Sequence, residues 1–567
     1  MAVSDFWVRV ASTALAATVG LILVRWILRL QQAFATIKDV PGQKIQWLDP
    51  FRTLSLVVGP LWPKAGSIGA YYGKFTLYDR LGSTVLSAVR PISGRLYYYV
   101  ADGEALKTVF ADRLKFQKDW EAYEVLEIYG KNLVGAEGSE WKRHKGIASP
   151  AFNEANNALV WSETIRIMHE WFVELDAELA ANTETQTNGI TLDIVPRMIQ
   201  ATLLIIAGAG FGRRVSWTED AAQEIPPGHT LSFSQAVAGT VGNLFVKVLT
   251  PNWLSDLSAA VPIPGLSWRL EATRRAFFEL QTYMLEIVGA ARDTVVAGLP
   301  VGDAAILQSL VQANMQQEGD AKALTDDELL SNIFVFLLAG HETSAHSLSF
   351  AIVLLALYPE VQQKVYDEAA KVWPGSAPVP HLTSAFKDDF PKFEYTLAAF
   401  RETLRLFPAE PRLAKIVAED ARITAAQFSP HKDGHNVHRD VRRVPVAIPK
   451  GSVIIVDIYG VHRNPFEWGA DCKEFKPERF VDTEAYRWPR HAFLTFSAGA
   501  RACLGSRFAL AESVCTLACL VRRYEILLPN HVVKMDIASR RAWLTKWTTG
   551  VTITPVNAMV KLRRREQ

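Results

Sequence analysis

Ten residues near the C-terminal end concentrate the reactive chemistry of this chain: Phe496-Ser-Ala-Gly499-Ala-Arg501-Ala-Cys503-Leu-Gly505, followed by Ser506 to Arg523 at helical spacing. A cysteine just ahead of a helix start meets free backbone N–H groups and the positive end of the helix dipole, and both favour a thiolate. Gly499 permits a tight turn around it, and Gly505 lets the helix backbone approach a flat ligand. A thiolate held in this way suits the iron of a haem. A lone cysteine is more often an inert core thiol, which is how Cys472, Cys515 and Cys519 are read. For Cys503 the two glycines and the arginine argue against that reading.

Two further clusters combine groups with chemical potential. Ala339-Gly340-His341-Glu342-Thr343-Ser344 sets an acid beside an alcohol and removes a side chain at Gly340, although a bare glycine could equally serve helix packing. Glu402 and Arg405 stand three apart on one helix face, a spacing that by itself is more often a weak surface ion pair. Other signatures fail. After His341-Glu342 the next histidine is His346, one residue too late to share a zinc ion on a helix face; Gly208, Gly210 and Gly212 do not make a dinucleotide turn; and neither a nucleophile elbow nor a phosphate loop is present.

The elements that must position these groups can be read from the same sequence. Thr325 with Glu328 forms a capping box and Pro359 ends the pattern, which predicts a helix of about 33 residues, roughly 50 Å, with Glu342 and Thr343 near its middle. Phe407-Pro408 ends the helix that carries Glu402 and Arg405. Short apolar strands are expected at Leu96 to Val100 and Val453 to Tyr459, and an exposed loop at Pro430 to Arg443. No interior linker divides the body, so one large, mainly helical domain with a small β lobe is expected.

Phe6 to Leu30 is a different kind of element. Val10 to Val24 carries no charge, Arg9 and Arg25 bracket it, and Phe6, Trp7 and Trp26 suit the two interfaces of a bilayer whose core takes roughly 20 helical residues. A cleaved signal would place its charge first and end on small residues, whereas Ala14 and Ala16 lie in mid-run. Basic Arg25, Arg29 and Lys38 follow the segment, which orients the body toward the cytosol. The expected organisation is an anchor over residues 1–35, a stiff linker over 36–65 punctuated by Pro41-Gly42, Pro50, Pro60 and Pro63, and a body over 66–567. Lys+Arg 61 against Asp+Glu 59 leaves a charge of +2, with 49% hydrophobic residues, which excludes a disordered tail or a polyanion binder and leaves no case for nucleic acid. Four cysteines in 567 residues cannot form a disulfide framework and suit a reducing compartment.

The Phe496 to Gly505 segment matches at every fixed position the haem loop of the cytochrome P450 family of haem-thiolate monooxygenases, and three more motifs stand in family order along nearly the whole chain. Ala339 to Ser344 resembles the signature of the helix over the distal haem face, Glu402-Thr-Leu-Arg405 the family's Glu/Arg pair, and Phe475-Lys-Pro477-Glu478-Arg479-Phe480 the segment whose arginine completes a buried triad with Glu402 and Arg405. The resemblance implies that Cys503 is the axial ligand of haem b, that Gly340 with Ala339 receives dioxygen, and that Thr343 and Glu342 help to deliver its protons. It also implies that Phe496, Gly499 and Gly505 shape the haem loop and that Arg501, Arg412, Trp141 and Lys145 contact the propionates. At the last of these positions the family usually has arginine, so a bidentate contact becomes a point charge. Further implications are a basic docking face from Lys142, Arg143, His144 and Arg507, and a substrate pocket that includes Phe116, Trp120, Tyr123, Phe334, Leu338, Leu413 and Trp547. The expected partners are NADPH-cytochrome P450 reductase, with cytochrome b5 as an optional second donor, a lipid bilayer, and a lipophilic substrate such as a terpenoid or other secondary metabolite, a fatty acid or a xenobiotic. The style resembles a fungal enzyme of the endoplasmic reticulum with its haem domain in the cytosol. Two other classes stay open: a haem-thiolate isomerase or dehydratase acting on a peroxide, and a non-catalytic membrane haem sensor or carrier.

Overall fold

The computed structural model describes residues 2–49, 55, 74–181, 188–261, 264–297, 305–316, 323–375, 384–429 and 440–565. Most of the expected linker, including Pro50, Pro60 and Pro63, and most of the expected loop from Pro430 lie outside these residues.

Helix α1 (Ala2–Thr36) leaves its apolar side chains exposed from Val10 to Leu28, as a segment seeking a non-aqueous surroundings does. Its last turns behave differently. Trp26 donates its indole N–H to the Pro91 carbonyl at 2.8 Å, and Ala33, with Ile37 just beyond the helix, is buried against the sheet. The sheet lobe is six-stranded, in the order β1-β2-β3-β6-β5-β4, with β1 (Lys44–Ile45), β2 (Val85–Arg90), β3 (Arg95–Val100), β4 (Phe116–Lys118), β5 (Arg412–Val417) and β6 (Val453–Asp457). The start of the expected linker is therefore part of this lobe. Gly42 lies so close to β2 that a Cβ there would meet the Ser87 carbonyl oxygen at 1.9 Å, so the Pro41-Gly42 turn docks the chain rather than spacing it. Strand β6 also stops two residues before the expected Tyr459: the Asp457 carboxylate accepts the Gly460 N–H at 2.9 Å and starts a short helix at Ile458.

The helical body packs around one apolar core. Its principal helices are α2 (Gly138–Ala148), α3 (Glu154–Ala180), α4 (Ile194–Phe211), α5 (Ser267–Val296), α6 (Asp326–Leu357), α7 (Glu394–Leu406) and α8 (Ser506–Arg523). Helix α4 is long and apolar enough to cross a membrane, but it is mostly buried between α3 and α6, which accounts for its apolarity on every side. Helix α6 starts as expected. The Thr325 hydroxyl accepts the Glu328 N–H at 3.2 Å, Glu328 accepts the Thr325 N–H at 3.0 Å, and three acids in the first turn complement the dipole. At its other end Tyr358 and Pro359 turn the chain by 110° into the next helix. Near the C-terminus a hairpin of β7 (Trp547–Thr549) and β8 (Ile553–Pro555) reaches back to α6.

Candidate active site

Helices α2, α4, α6, α7 and α8 and the loop before α8 enclose a cavity of about 370 Å³. Cys503 is on its wall. The loop is built around Gly499, whose φ of 69° is left-handed and whose Cβ, if present, would meet the Phe110 carbonyl oxygen at 2.5 Å. The Cys503 N–H donates to the Phe496 carbonyl at 2.9 Å, which closes the turn and turns the side chain toward the cavity, onto which its accessible surface opens. Burial pushes the Cys503 thiol up, and the Gly505 N–H only partly offsets this. The expected helix-end stabilisation is therefore present but loses to desolvation, so the sulfur needs a cation to become a thiolate. A Cβ on Gly505 would stand 3.7 Å from the Phe152 ring and 4.0 Å from the Cys503 sulfur, so the helix start presents an open, flat approach.

Helix α6 forms the wall through Phe336, Ala339, Gly340, Thr343 and Ser347, residues that recur at three to four positions and so share one face. The Thr343 hydroxyl donates to the Ala339 carbonyl at 2.6 Å. A Cβ on Gly340 would stand 3.0 Å from Ile206 Cγ1 of α4, so this glycine serves close helix packing as well as the cavity. Glu342 turns to the other flank. Its Oε1 accepts the Thr552 hydroxyl at 3.3 Å, and the Thr552 oxygen lies 2.7 Å from His346 Nδ1. Burial lifts the Glu342 carboxyl to about 7 and lowers His346 to about 4, so the acid and alcohol that are neighbours in sequence face different surroundings. Among the described residues no group of His, Cys, Asp and Glu could hold a bare metal ion.

Cations gather at one edge. Lys118, Lys145 and Arg501 line the cavity with Trp141, whose ring lies 4.5 Å from the Arg501 guanidinium carbon and 5.1 Å from Lys145 Nζ. Lys145 donates to the Ala500 carbonyl at 2.7 Å, and Arg501 donates to the Ala136 carbonyl at 2.8 Å and to Glu137 at 2.5 Å. Lys118 bonds the Val134 carbonyl and lies 3.4 Å above the Tyr123 ring. Burial holds the Lys118 ammonium well below its ordinary value and takes Lys415 down to about 8, with Arg501 lowering both and Glu137 raising both. Glu137 offsets only part of the positive charge of this set, and a further anion placed among these cations would restore their protons.

Arg412 does not join it. It is buried in β5 in register with Asp457, its guanidinium 5.8 Å from the Tyr99 ring, and Lys415, three residues on and so on the other face of the strand, is the one near Arg501. The expected pocket residues also stand elsewhere. Phe116 is buried in β4, Trp120 is half exposed, Tyr123 lies under Lys118, Leu413 pairs with Val456 in the sheet, and Trp547 packs edge-on against Tyr459. Phe334 packs on Tyr129 and Leu338 in the helical core, because both are on the side of α6 away from Thr343. That periodicity was available in the sequence: counting back from Thr343 by three, four and seven finds Gly340, Ala339 and Phe336. Lys118, Lys415 and Glu410, which also meets the cavity, carried no such signal because they come from separate strands and turns.

Of the expected basic face, Arg143 instead pairs with Glu328 and His144 is buried beside Asn332, since both belong to the α2 face that packs on α6. Lys142 and Arg507 remain at the surface, Arg507 2.9 Å from Glu154. Behind the loop, Glu402, Arg405 and Arg479 come together in full or near-full burial. Arg405 makes a two-pronged pair with Glu402 at 2.6 and 2.7 Å, Arg479 Nε stands 3.5 Å from Glu402, and the remaining arginine donors reach the carbonyls of His462, Cys472, Glu474, Trp468 and Asp471.

With this geometry in place, comparisons of the sequence with known proteins converge. The sequence pattern described as Cytochrome P450 matches residues 92–555. A protein of Postia placenta named Cytochrome P450 monooxygenase 124 is 34% identical over 545 residues, covering 95% of this chain and 96% of its own. Cytochrome P450 monooxygenase prx9 of Penicillium rubens is 28% identical over 525 residues, 86% of this chain and 84% of its own. A protein of Ganoderma lucidum named Ganoderic acid synthetase CYP5150L8 is 28% identical over 462 residues, 77% of this chain and 80% of its own.

Proposed function

Since this chain belongs to the cytochrome P450 family of oxidoreductases, we propose that it is a membrane-anchored monooxygenase that inserts one oxygen atom from dioxygen into a lipophilic small molecule. The observation that carries this reading is the meeting of the Cys503 thiol and the Thr343 hydroxyl on one cavity whose edge gathers Lys118, Lys145 and Arg501.

Haem b fits these residues. The cation set calls for an anion with at least two charges, which the two propionates provide; the raised thiol calls for a metal; and the bare Gly505 and Gly340 leave room for a flat ring. In this reading the Cys503 sulfur would bind the iron, Phe496, Gly499 and Gly505 would shape the loop that presents it, and Trp141 with Lys118, Lys145, Lys415 and Arg501 would hold the propionates. When bound, the haem supplies a thiolate-ligated iron that activates dioxygen, with electron donation from sulfur favouring O–O cleavage. Thr343, with Ala339 and Gly340, holds the distal wall and presents a hydroxyl from which a proton can be passed. Glu342, whose carboxyl burial lifts to about 7, could hold a proton on the neighbouring flank of α6, next to Thr343 in sequence. Glu402, Arg405 and Arg479 fix the rear of the loop.

The electrons would come from NADPH through cytochrome P450 reductase, with cytochrome b5 as a second donor, docking near the exposed Lys142 and Arg507. The exposed apolar part of α1 supports attachment to the endoplasmic reticulum membrane with the body in the cytosol. The substrate class, terpenoid or other secondary metabolite, fatty acid or xenobiotic, is supported by the mostly apolar lining and by the name of the Ganoderma relative. The deciding experiment has two parts. The dithionite-reduced protein with carbon monoxide should absorb at the position typical of thiolate-ligated haem, and a histidine-type spectrum refutes the Cys503 assignment. Product formation that depends on reductase and NADPH separates the monooxygenase from a peroxide isomerase and from a haem carrier.

A further inference from the structure

Among the mostly apolar side chains that line the cavity stands one carboxylic acid, Glu410. It lies in the turn Phe407-Pro408-Ala409-Glu410-Pro411 between α7 and β5. This turn is held from two sides: the Ala409 carbonyl accepts the Ile553 N–H of β8 at 3.1 Å, and the Pro411 carbonyl accepts the Tyr459 N–H at 3.2 Å. Pro408 and Pro411 fix two further torsions. Glu410 is thus a stationary point on the wall rather than a swinging arm.

Its surroundings are unusual for an acid. Glu410 is half-buried and lines the cavity. Its carboxyl takes a backbone hydrogen bond from Arg412, and Lys118 and Arg412 act on it through space, but among the described residues no side chain ion-pairs with it. Burial lifts it to about 8, which marks an acid without a sufficient partner. Other buried acids are either paired, as Glu402 is by two arginines and Glu328 by Arg143 and the Thr325 N–H, or, like Glu512, lifted to about 8 by burial away from the cavity; Glu410 differs from both in lining the cavity. A polar group left facing an apolar chamber is what a site has when its partner arrives with the ligand.

We propose that Glu410 is the polar anchor of the substrate chamber, and that the substrate is a lipophilic molecule bearing one hydrogen-bond-donating group, a hydroxyl or a protonated amine, bound to this carboxyl. The inference rests on the monooxygenase reading and narrows its substrate class. A fixed acceptor on the wall sets the distance between the donor group and the carbon that is oxidised, so Glu410 sets regiochemistry as well as affinity. A site with a buried acceptor also rejects analogues that lack the donor, because binding them leaves the acid unpaired.

The test uses the full-length haem-loaded enzyme and matched probes: dodecanol, dimethyldodecylamine and dodecyl methyl ether, then menthol and a sterol, each against its methyl ether. Binding is read from the spectral shift on displacement of the haem's water, with direct amine ligation recognised by its opposite shift. At least one donor probe should bind about tenfold or more tightly than its ether. Glu410→Leu should erase that preference. Glu410→Gln should keep part of the preference for an alcohol, which can donate to the amide oxygen, and lose a preference for the ammonium. Equal binding of every pair by the native enzyme, or an undiminished preference in Glu410→Leu, overturns the proposal. The reduced carbon monoxide spectrum of each variant reports separately on the haem: a thiolate-type band in all three proteins leaves the monooxygenase reading intact whatever Glu410 does, and its absence from all three sinks that reading instead.

Discussion

At the scale of single residues, the site separates groups that its sequence places side by side. Thr343 faces the cavity and Glu342 faces Thr552 and His346, so removing either should have a distinct effect. Thr343→Ala takes a hydroxyl from the chamber without disturbing the Ala339 backbone. It should leave NADPH consumption running while product falls and hydrogen peroxide rises, measured as the ratio of product to NADPH; an unchanged ratio removes Thr343 from proton delivery. Glu342 has a stability signature instead. Its folded carboxyl titrates at about 7 against an ordinary 4.5, so between those values the folded state binds more protons than the unfolded one and stability falls as pH rises. Below the window the acid is protonated in both states and costs nothing; above it the full penalty, of order 3 kcal/mol, is present. Glu342→Gln should therefore stabilise the protein at pH 8 and leave it unchanged near pH 4, read by denaturant midpoints, and an equal gain at both values would show that charge burial is not the cause. Of the residues on this cavity the sequence singled out those carried by short local patterns, Cys503 and Thr343 foremost. Arg412, expected at this edge, stands in β5 opposite Asp457, and Lys118, Lys415 and Glu410 carried no signal, because propinquity at the cavity edge depends on which strand face each residue takes and which turn closes over it.

At the scale of elements, the loop before α8 is rigid because of what stands behind it. Glu402 on α7 is fully buried, and so is Arg405; Arg479 reaches them from the Pro477–Phe480 turn. An isolated pair three apart on a helix reads as a surface contact, and only the ordered set of motifs in this chain revealed it as interior. Replacing Glu402 by Gln keeps the shape but leaves the buried Arg405 without a carboxylate and Arg479 with Asp471 alone, a loss typically of about 3–5 kcal/mol. The expected outcome is a large fall in the denaturation midpoint together with lower haem content after purification, and near-native stability would mean that the arginine-to-carbonyl bonds suffice alone. Helix α6 is the counter-example in which local signals succeeded: its capping box and terminal proline set both ends, since both devices act within one turn. Its facing was legible too, once Thr343 was taken as the reference. What could not be read was the flank contact of Glu342, which requires the β7–β8 hairpin to fold back from two hundred residues away in the chain, an association no local pattern encodes.

At the scale of the whole molecule, the anchor and the body are joined differently from a helix on a stiff tether. The apolar segment was plain in the sequence because length and the absence of charge are compositional, and its exposed part ends near Leu28. The sequence did not show that the same helix then turns amphipathic: Trp26 holds Pro91, Leu30 and Phe34 pack against the sheet lobe, Ala33 and Ile37 are buried in it, and Lys44 donates to the Ile37 carbonyl at 2.8 Å. The part of α1 that contacts the lobe therefore begins near Trp26, inside the segment 1–35 expected as the anchor. Two truncations separate these roles. Removing residues 2–24 leaves Trp26, Leu30, Ala33, Phe34 and Ile37 in place and should release the protein from membranes with its reduced carbon monoxide spectrum and denaturation midpoint unchanged. Removing residues 2–38 also uncovers the face of the lobe that Ala33, Phe34 and Ile37 cover; at about 25 cal/mol per Å² of apolar surface, and 1.5–3 kcal/mol for each large side chain, this should cost roughly 3–5 kcal/mol and favour aggregation. Membrane release is followed by flotation and stability by the midpoint. Equal midpoints for the two truncations would restore the tether, with the whole of α1 outside the fold.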